Sequence, residues 1–242
     1  MPFPPSGLLT DASLFLDLDG TLLEFMDRPE CVRADASLRE LLARLAARLD
    51  GRIAIVSGRS LEQIDDILGD TATELAVSGS HGCEHRWNGD LIRPDRPAAL
   101  DKAAERMRIF GDSQPGLLVE EKSFGVALHY RMQPEAQEAV RAFAGALAAE
   151  LDLGLQHGNM MVELRVASGN KGSTVRRFMA LPPMQGTRPV FIGDDITDED
   201  GFAAAADLGG SGMLIGPDRP TVAVHRLPSP ADLRAWLAEA AL

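Results

Sequence analysis

SLFLDLDGT, at residues 13–21, is the stretch that decides the fold, because an apolar run there ends abruptly in two carboxylates and a Gly-Thr turn. A continuous apolar run that stops at a turn signal predicts a strand buried on both faces, as in a parallel sheet. Asp17 and Asp19 repel each other and are costly to bury unless a cation or a shared proton offsets them. A surface turn, where Asp and Gly are common, is the alternative that this stretch alone leaves open.

The chain on the carboxyl side of this stretch continues as alternating helices and strands. Leucines recur at helical spacing through residues 38–49, and an apolar strand at residues 53–56 ends in Ser57-Gly58-Arg59. A second helix, which Ser60 is placed to cap, and a third strand at residues 75–77 follow. This alternation predicts an α/β fold with a doubly wound parallel sheet, whose functional residues lie at the carboxyl ends of the strands.

A different pattern interrupts the alternation after residue 83. Residues 84–92 alternate around Asn88-Gly89, which predicts a hairpin. Six elements are then predicted, in the order helix, strand, strand, helix, strand and strand, at residues 97–110, 117–121, 125–131, 134–151, 153–156 and 161–166. Strands joined by short turns are antiparallel, so this αββαββ stretch is expected to form a separate α+β unit. We expect a discontinuous core at residues 1–90 and 168–242, with an inserted unit at residues 91–167.

The alternating pattern resumes at Lys171 and leads to a second acidic stretch. A helix begins there, an apolar strand follows at residues 190–192, and five of the seven residues from 194 to 200 are acidic. Helix capping accounts for the later carboxylates but not for Asp194 and Asp195, which stand beside a buried strand end. Mg²⁺ prefers carboxylate oxygens, so the two strand ends together predict one metal-binding site formed by Asp17, Asp19 and Asp194.

Two further polar residues stand where a phosphate would need them. Ser57 ends the second strand and Lys171 begins a helix. A hydroxyl, an ammonium and helix N-terminal amides together suit a tetrahedral anion. A serine that only caps a turn and a solvated surface lysine are the structural alternatives.

Composition and charge exclude several classes of function. With 24 basic and 36 acidic side chains the formal net charge is -12, so the chain lacks the basic field that nucleic acid or an anionic membrane surface would require. Cys31 and Cys83 are far apart and in no metal-ligand spacing, which suits a reducing compartment. Residues 1–10 show no leader pattern, and no apolar run reaches about 18 residues. We expect a cytoplasmic protein with a small-molecule partner; the oligomeric state stays open, and a monomer is compatible with the sequence.

These features, in this order along the chain, resemble the haloacid dehalogenase (HAD) superfamily of phosphotransferases. The matching stretches are LDLDGT at residues 16–21, VSGR at 56–59, Lys171, and GDDITDE at 193–199. The resemblance implies a Rossmann-like HAD core. The inserted αββαββ unit looks like the C2B type of cap found in sugar phosphatases of this superfamily.

Within the superfamily the chain is most similar to the trehalose-6-phosphate phosphatase family, over nearly its whole length. The supporting strings are VSGSHGCE at residues 77–84, EEK at 120–122, LHYR at 128–131, VEL at 162–164, and residues 193–202. The resemblance implies a substrate-binding set of Glu120, Lys122, Arg131, Asn159, Glu163, Arg59 and His81. Asn159 stands where the family usually has lysine, which puts the choice of sugar in question. The alternatives are that Glu120 and Lys122 form a solvated charge set and that His81 is a loop histidine bonded to backbone.

The resemblance also implies a mechanism in which trehalose 6-phosphate transfers its phosphoryl group to Asp17 and the aspartyl phosphate is then hydrolysed. Asp19 would serve first as acid and then as base, a dual role that acidic neighbours would favour. Ser57 and Lys171 would hold the phosphoryl oxygens.

A magnesium ion is the implied cofactor. The carboxylates of Asp17 and Asp194 and the backbone carbonyl of Asp19 would hold it. Asp195 and Asp198 would orient metal-bound waters or the catalytic lysine.

Three alternative functions stay open. A phosphatase of sucrose phosphate or mannosylglycerate phosphate would share every core residue and differ in the inserted unit. A sugar phosphomutase would use the same pair of aspartates but would release little inorganic phosphate. A non-catalytic sugar-phosphate sensor belongs to a different class, and it would have no need of a nucleophile.

Overall fold

The computed structural model describes residues 1–5, 7–24, 32–158, 160–166 and 169–241. The chain divides into two compact units, the first formed by Met1–Arg93 with Gly169–Leu242 and the second by Pro94–Ser168. Cys31 and Asn159, both singled out in the sequence, lie outside the described residues.

The described residues form twelve strands and seven α-helices. The strands are β1 (Ala12–Leu16), β2 (Ile53–Val56), β3 (Ala76–Gly79), β4 (Glu84–Trp87), β5 (Asp90–Ile92), β6 (Leu118–Lys122), β7 (Gly125–His129), β8 (Gly154–Gly158), β9 (Met161–Arg165), β10 (Arg188–Gly193), β11 (Ser211–Ile215) and β12 (His225–Leu227). The helices are α1 (Ala36–Arg48), α2 (Leu61–Leu68), α3 (Ala98–Asp112), α4 (Gln137–Leu151), α5 (Lys171–Met179), α6 (Glu199–Asp207) and α7 (Pro230–Ala240). Within the described parts of the chain, no helix combines the length and the apolar character needed to cross a membrane.

The first unit is built on one eight-stranded sheet with the order β12-β11-β10-β1-β2-β3-β4-β5. Neighbours from β12 to β3 are parallel, and β4 and β5 extend the sheet as antiparallel strands. Leu14 and Leu16 of β1 pack into one core cluster and Phe15 into another, so both faces of the sheet are buried. Burial of each such side chain contributes about 1.5–3 kcal/mol, which explains the unbroken apolar run. The predicted α/β class with a mostly parallel sheet is confirmed.

The hairpin predicted around Asn88-Gly89 is present as β4 and β5. Asn88 has a φ of 51° and Gly89 a φ of 84°. Two consecutive positive φ values are what a two-residue type I′ turn requires. The hairpin belongs to the first unit, whose amino-terminal segment ends at Arg93.

The second unit has a four-stranded antiparallel sheet in the order β6-β7-β9-β8. Its element order, α3-β6-β7-α4-β8-β9, is the predicted αββαββ order. The two helices cover one face of the sheet, where the buried strand residues are Val126, Leu128, Val162 and Leu164. The other face, called the polar face below, carries Glu120, Lys122, His129 and Glu163. Strand alternation therefore separates an apolar core face from a face lined by charged and polar groups.

Candidate active site

Two acidic loops meet at the carboxyl edge of the parallel sheet. The strands β1 and β10 are neighbours, and the chain leaves them directly before Asp17 and Asp194. The pairing continues one residue further, because the Asp17 amide donates to the Ile192 carbonyl at 2.9 Å. Carboxylate oxygens of Asp17, Asp194 and Asp198 consequently lie within 4.8 Å of one another. We call these three residues, with Lys171, the charge cluster.

Lys171 supplies the positive charge of this cluster. Its Nζ donates to Asp17 Oδ1 at 2.7 Å and to Asp198 Oδ1 at 2.6 Å, and the residue is only 3% exposed. The helix α5 begins at Lys171 because Asn170 and Ser173 form a capping box with two reciprocal bonds. The solvated surface lysine that the sequence left open is therefore excluded.

The charge cluster is short of positive charge. Three ionised carboxylates and one ammonium sum to -2. Burial, reinforced by Asp198 and Asp194, raises the pKa of Asp17 well above its usual value, although Lys171 opposes the change. Burial and the nearby Asp198 raise the pKa of Asp194 to about 6. For Lys171, burial alone would lower the pKa, but attraction to Asp17 and Asp198 outweighs burial and the pKa is raised.

The charge cluster fits a hard divalent cation. Its donors are carboxylate oxygens, and two positive charges would bring the cluster to neutrality. Asp198 is the least available ligand, because one oxygen accepts from Lys171 and the other accepts the amides of Asp194 and Asp195 at 3.0 and 2.9 Å. Asp17 and Asp194 are therefore the carboxylates best placed to hold a cation.

Thr21 is a site residue to which the sequence pattern assigned no role. Its hydroxyl is buried and lies 3.3 Å from Asp17 Oδ2 and 3.1 Å from Asp194 Oδ1. A hydroxyl has one proton, so Thr21 donates to one of these carboxylates at a time. Gly20, with a φ of 78°, turns the chain in front of it. The Gly-Thr turn of the opening stretch thus brings a donor between the two acidic loops.

Asp19 stands outside the charge cluster and pairs with a cation. Arg59 donates from Nε to Asp19 Oδ2 at 2.6 Å and from Nη2 to Asp19 Oδ1 at 2.7 Å. Such a bidentate pair fixes both the position and the orientation of the carboxylate. The sequence led us to expect acidic neighbours for Asp19, and the structure pairs its carboxylate with a guanidinium. Arg59, expected to bind substrate, has the Asp19 carboxylate as its partner in this structure.

The loop after β2 is held by the turn after β3. Ser57 is 1% exposed, and its hydroxyl oxygen accepts the Arg59 amide at 3.1 Å, which leaves the hydroxyl proton for another acceptor. The Ser57 carbonyl accepts the His81 amide at 3.1 Å, and the Arg59 carbonyl accepts the Ser80 amide at 2.7 Å. A Cβ on Gly58 would come within 2.6 Å of the His81 ring. The main-chain amide of His81 thus ties the turn to this loop, and its imidazole packs on the loop that carries Ser57.

The acidic loop itself is braced from within and from outside. The Asp195 carboxylate accepts the Ile196 amide at 2.6 Å and caps a 3-10 turn over Ile196–Asp198, so the expectation that capping does not account for Asp195 was wrong. Arg219 donates to the carbonyls of Asp194 and Asp195 at 3.3 and 2.8 Å. No sequence signal marked Arg219, because it lies in an irregular loop after β11 and reaches its acceptors only in the folded chain.

The polar face of the second unit brings four charged or polar side chains together as two pairs. Lys122 Nζ donates to Glu163 Oε2 at 2.6 Å, and Glu163 is 5% exposed. His129 Nε2 lies 2.9 Å from Glu120 Oε2, and this hydrogen bond lowers the pKa of Glu120. Arg131 follows β7 and is exposed. The pairing of Lys122 with a buried carboxylate argues against a merely solvated charge set.

Comparison with known proteins places the chain among sugar-phosphate phosphatases. The trehalose-phosphatase family model matches residues 15–232. A probable trehalose-phosphate phosphatase of Sinorhizobium fredii is 37% identical over 244 residues, covering 98% of this chain and 91% of that protein. The trehalose-6-phosphate phosphatase of Escherichia coli is 35% identical over 226 residues, covering 92% of this chain and 84% of that protein.

Solved structures share the architecture. The crystal structure of a trehalose-6-phosphate phosphatase related protein has a TM-score of 0.77 at 30% identity, over 93% of this chain and 94% of that chain. A HAD-superfamily phosphatase of Bacteroides thetaiotaomicron has a TM-score of 0.65 at 18% identity, over 96% of this chain and 95% of that chain. The second likeness concerns the fold alone, and it confirms the HAD fold that the motifs implied.

Proposed function

The chain belongs to the trehalose-phosphatase family, and from this premise we propose that it hydrolyses trehalose 6-phosphate to trehalose and inorganic phosphate. The observation that carries the proposal is the charge cluster at the carboxyl edge of the sheet. It combines a carboxylate nucleophile, an ammonium for the phosphoryl oxygens and a donor set for a divalent cation. These are the parts that phosphoryl transfer to a carboxylate requires.

Asp17 is the proposed nucleophile. A carboxylate oxygen attacks phosphorus in line with the ester oxygen, the bond between phosphorus and the sugar oxygen breaks, and an aspartyl phosphate forms. Lys171, 2.7 Å from Asp17 Oδ1, is placed to hold a phosphoryl oxygen beside the nucleophile. The hydroxyl of Ser57 is the second proposed donor to that group.

Asp19 is the proposed general acid and base. It gives a proton to the departing sugar oxygen and later takes a proton from the water that attacks the aspartyl phosphate. The bidentate pair with Arg59 has to loosen before Asp19 carries a proton. The phosphate of the substrate is an anion to which Arg59 can transfer its hydrogen bonds, so substrate binding would release Asp19 for the reaction.

Mg²⁺ is the cation that we propose for the charge cluster. When bound, it would neutralise charge on the phosphoryl group and on the carboxylates around it. Asp17 and Asp194 would hold it through their carboxylates and Asp19 through its backbone carbonyl. Asp198 has a positioning role in this proposal, because it bonds Lys171 and the Asp194 amide at the same time.

The polar face of the second unit is the proposed sugar-binding surface. Carboxylates accept hydroxyl hydrogen bonds, whereas ammonium and guanidinium groups return donors. Glu163 and Lys122 form a closely paired acceptor and donor with little exposure of the carboxylate. Glu120 and Arg131 add one of each kind, and Asn159 completes the proposed set.

Phosphate release from a panel of sugar phosphates in the presence of Mg²⁺ tests the proposal. We expect kcat/KM for trehalose 6-phosphate to exceed that for sucrose phosphate or mannosylglycerate phosphate by about 10-fold or more. Preference for another sugar phosphate would contradict the proposed substrate. Binding without turnover would indicate a sensor, and transfer to a second hydroxyl a mutase. The cytoplasmic location stays a prediction from the sequence.

A further inference from the structure

Arg219 lies in the loop between β11 and β12 and reaches the acidic loop that follows β10. Its Nη2 donates to the carbonyls of Asp194 and Asp195 at 3.3 and 2.8 Å. Its Nη1 donates to the Pro220 carbonyl at 3.1 Å and pairs with the Glu199 carboxylate. The side chains of Arg219 and Glu199 are each 25% exposed, so most of each side chain is covered by the fold.

The peptide groups of Asp194 and Asp195 are therefore held from two sides. On the amide side, Asp198 Oδ2 accepts both N–H groups at 3.0 and 2.9 Å. On the carbonyl side, Arg219 donates to both oxygens. With donor and acceptor of each residue bonded, the backbone from which the Asp194 carboxylate projects has little freedom. A ligand residue must be held to within about 0.5 Å for productive binding, and hydrogen bonds on both sides of the peptide groups favour such precision.

Arg219 also offsets repulsion within the acidic loop. Five of the seven residues from 194 to 200 are acidic. A guanidinium remains charged and presents a planar fork, which suits two adjacent carbonyls better than a point charge would. Glu199 anchors this contact, because its second oxygen accepts the Val222 amide at 3.0 Å and so ties the Arg219 loop to the start of α6.

From this geometry we infer that Arg219 is a positioning residue for cation binding, acting through the Asp194–Asp195 backbone. The inference rests on the proposed function to the extent that the charge cluster binds a divalent cation. Loss of an outer partner of a metal ligand typically weakens metal binding by about 10- to 100-fold. We therefore expect Arg219→Gln to raise the dissociation constant for Mg²⁺ about 10-fold.

Titration of the full chain with Mg²⁺ by calorimetry, and with Mn²⁺ by electron paramagnetic resonance, tests the inference without substrate. Arg219→Gln should weaken both equilibria, and Arg219→Lys should recover part of the loss, because an ammonium keeps the charge but lacks the fork. The matched control is Arg176→Gln, which removes an exposed pair with Asp207 from the same unit. The control should bind both ions as the wild type does.

Activity provides a second readout, because excess Mg²⁺ should recover turnover by Arg219→Gln, which a general folding defect would not allow. Wild-type affinity for both ions in folded Arg219→Gln would overturn the inference. If that variant does not fold, Glu199→Gln decides, because it keeps Arg219 but removes its anchor. We expect binding there to be weaker by up to about 10-fold, and unchanged binding would overturn the inference. A wild-type chain that binds Mg²⁺ but does not release phosphate would contradict the proposed function and leave the role of Arg219 standing.

Discussion

The charge cluster of the first unit and the polar face of the second arrange their charges in opposite ways. In the cluster, Asp17, Asp198 and Lys171 are at most 5% exposed, and three carboxylates share one ammonium. On the polar face each carboxylate has its own partner, and the side chains of Lys122, His129 and Glu120 are 30–46% exposed, while that of Glu163 is 7% exposed. Unbalanced buried charge is costly and calls for a compensating ligand, whereas paired groups near water exchange partners cheaply. The site proposed for chemistry thus has an excess of buried negative charge, whereas the surface proposed for sugar recognition has carboxylates that are each paired.

Asp17→Asn changes the buried charge cluster and should have the largest effect on activity. An amide does not attack phosphorus, so phosphate release should fall about 10⁴-fold or more. The fold should persist, because Asn has nearly the same shape and removes one repelling charge. Phosphate assays with circular dichroism measure both properties. Asp50→Asn, at an aspartate whose side chain is 79% exposed, is the matched control and should behave as wild type. Full turnover by Asp17→Asn would refute the nucleophile assignment.

Glu163→Gln tests whether the polar face of the second unit recognises the sugar. The change removes the carboxylate that pairs with Lys122, so kcat/KM for trehalose 6-phosphate should fall about 10- to 100-fold. Hydrolysis of p-nitrophenyl phosphate, which has no sugar, should be retained. Glu150→Gln removes an exposed pair with Arg106 in the same unit and serves as control. Equal losses with both substrates would show that Glu163 acts on folding or chemistry and not on the sugar.

Asp194→Asn tests how far the excess negative charge of the charge cluster destabilises the folded chain, and its expected effect is smaller. The folded-state pKa of Asp194 is raised to about 6, so the metal-free folded chain binds more protons than the unfolded chain at mildly acid pH. Stability should therefore fall as pH rises from about 4 to 6 and stay lower above that range. At neutral pH with chelator, Asp194→Asn should increase the free energy of unfolding by about 1–2 kcal/mol. Urea denaturation measures it, and Mg²⁺ should reverse the order. A metal-free variant less stable than wild type would contradict this account.

Much of the architecture could be predicted because strands that are buried on both faces of a sheet have unbroken apolar runs in the sequence. The strand β1 is of this kind, and the hairpin was predicted from its turn residues Asn88-Gly89, since each is decided by neighbouring residues. The strand β12 was missed, because His225–Leu227 is three residues long and only its last residue is fully buried. A segment that short carries no period to detect.

Residues of the candidate site could be predicted from the sequence where a side chain violates a physical rule, such as the rule that buried charge is costly. Carboxylates directly after buried strands are such violations, and they pointed to Asp17 and Asp194. Thr21 and Arg219 violate nothing, because a threonine in a turn and an arginine in a loop are ordinary. Their roles arise from contacts with residues 173 and 25 positions away, which exist only once the loops have met. The Arg59 pair with Asp19 is of the same kind.

The strand β5, three residues long at Asp90–Ile92, forms one edge of the eight-stranded sheet. A sheet edge presents unpaired amides and carbonyls on which another chain can add a strand. This edge is short, begins with a charged residue and runs into Arg93-Pro94, where proline offers no amide donor. The hairpin that closes the amino-terminal segment of the first unit thus also ends the growth of the sheet, and this protects the protein against edge-to-edge aggregation.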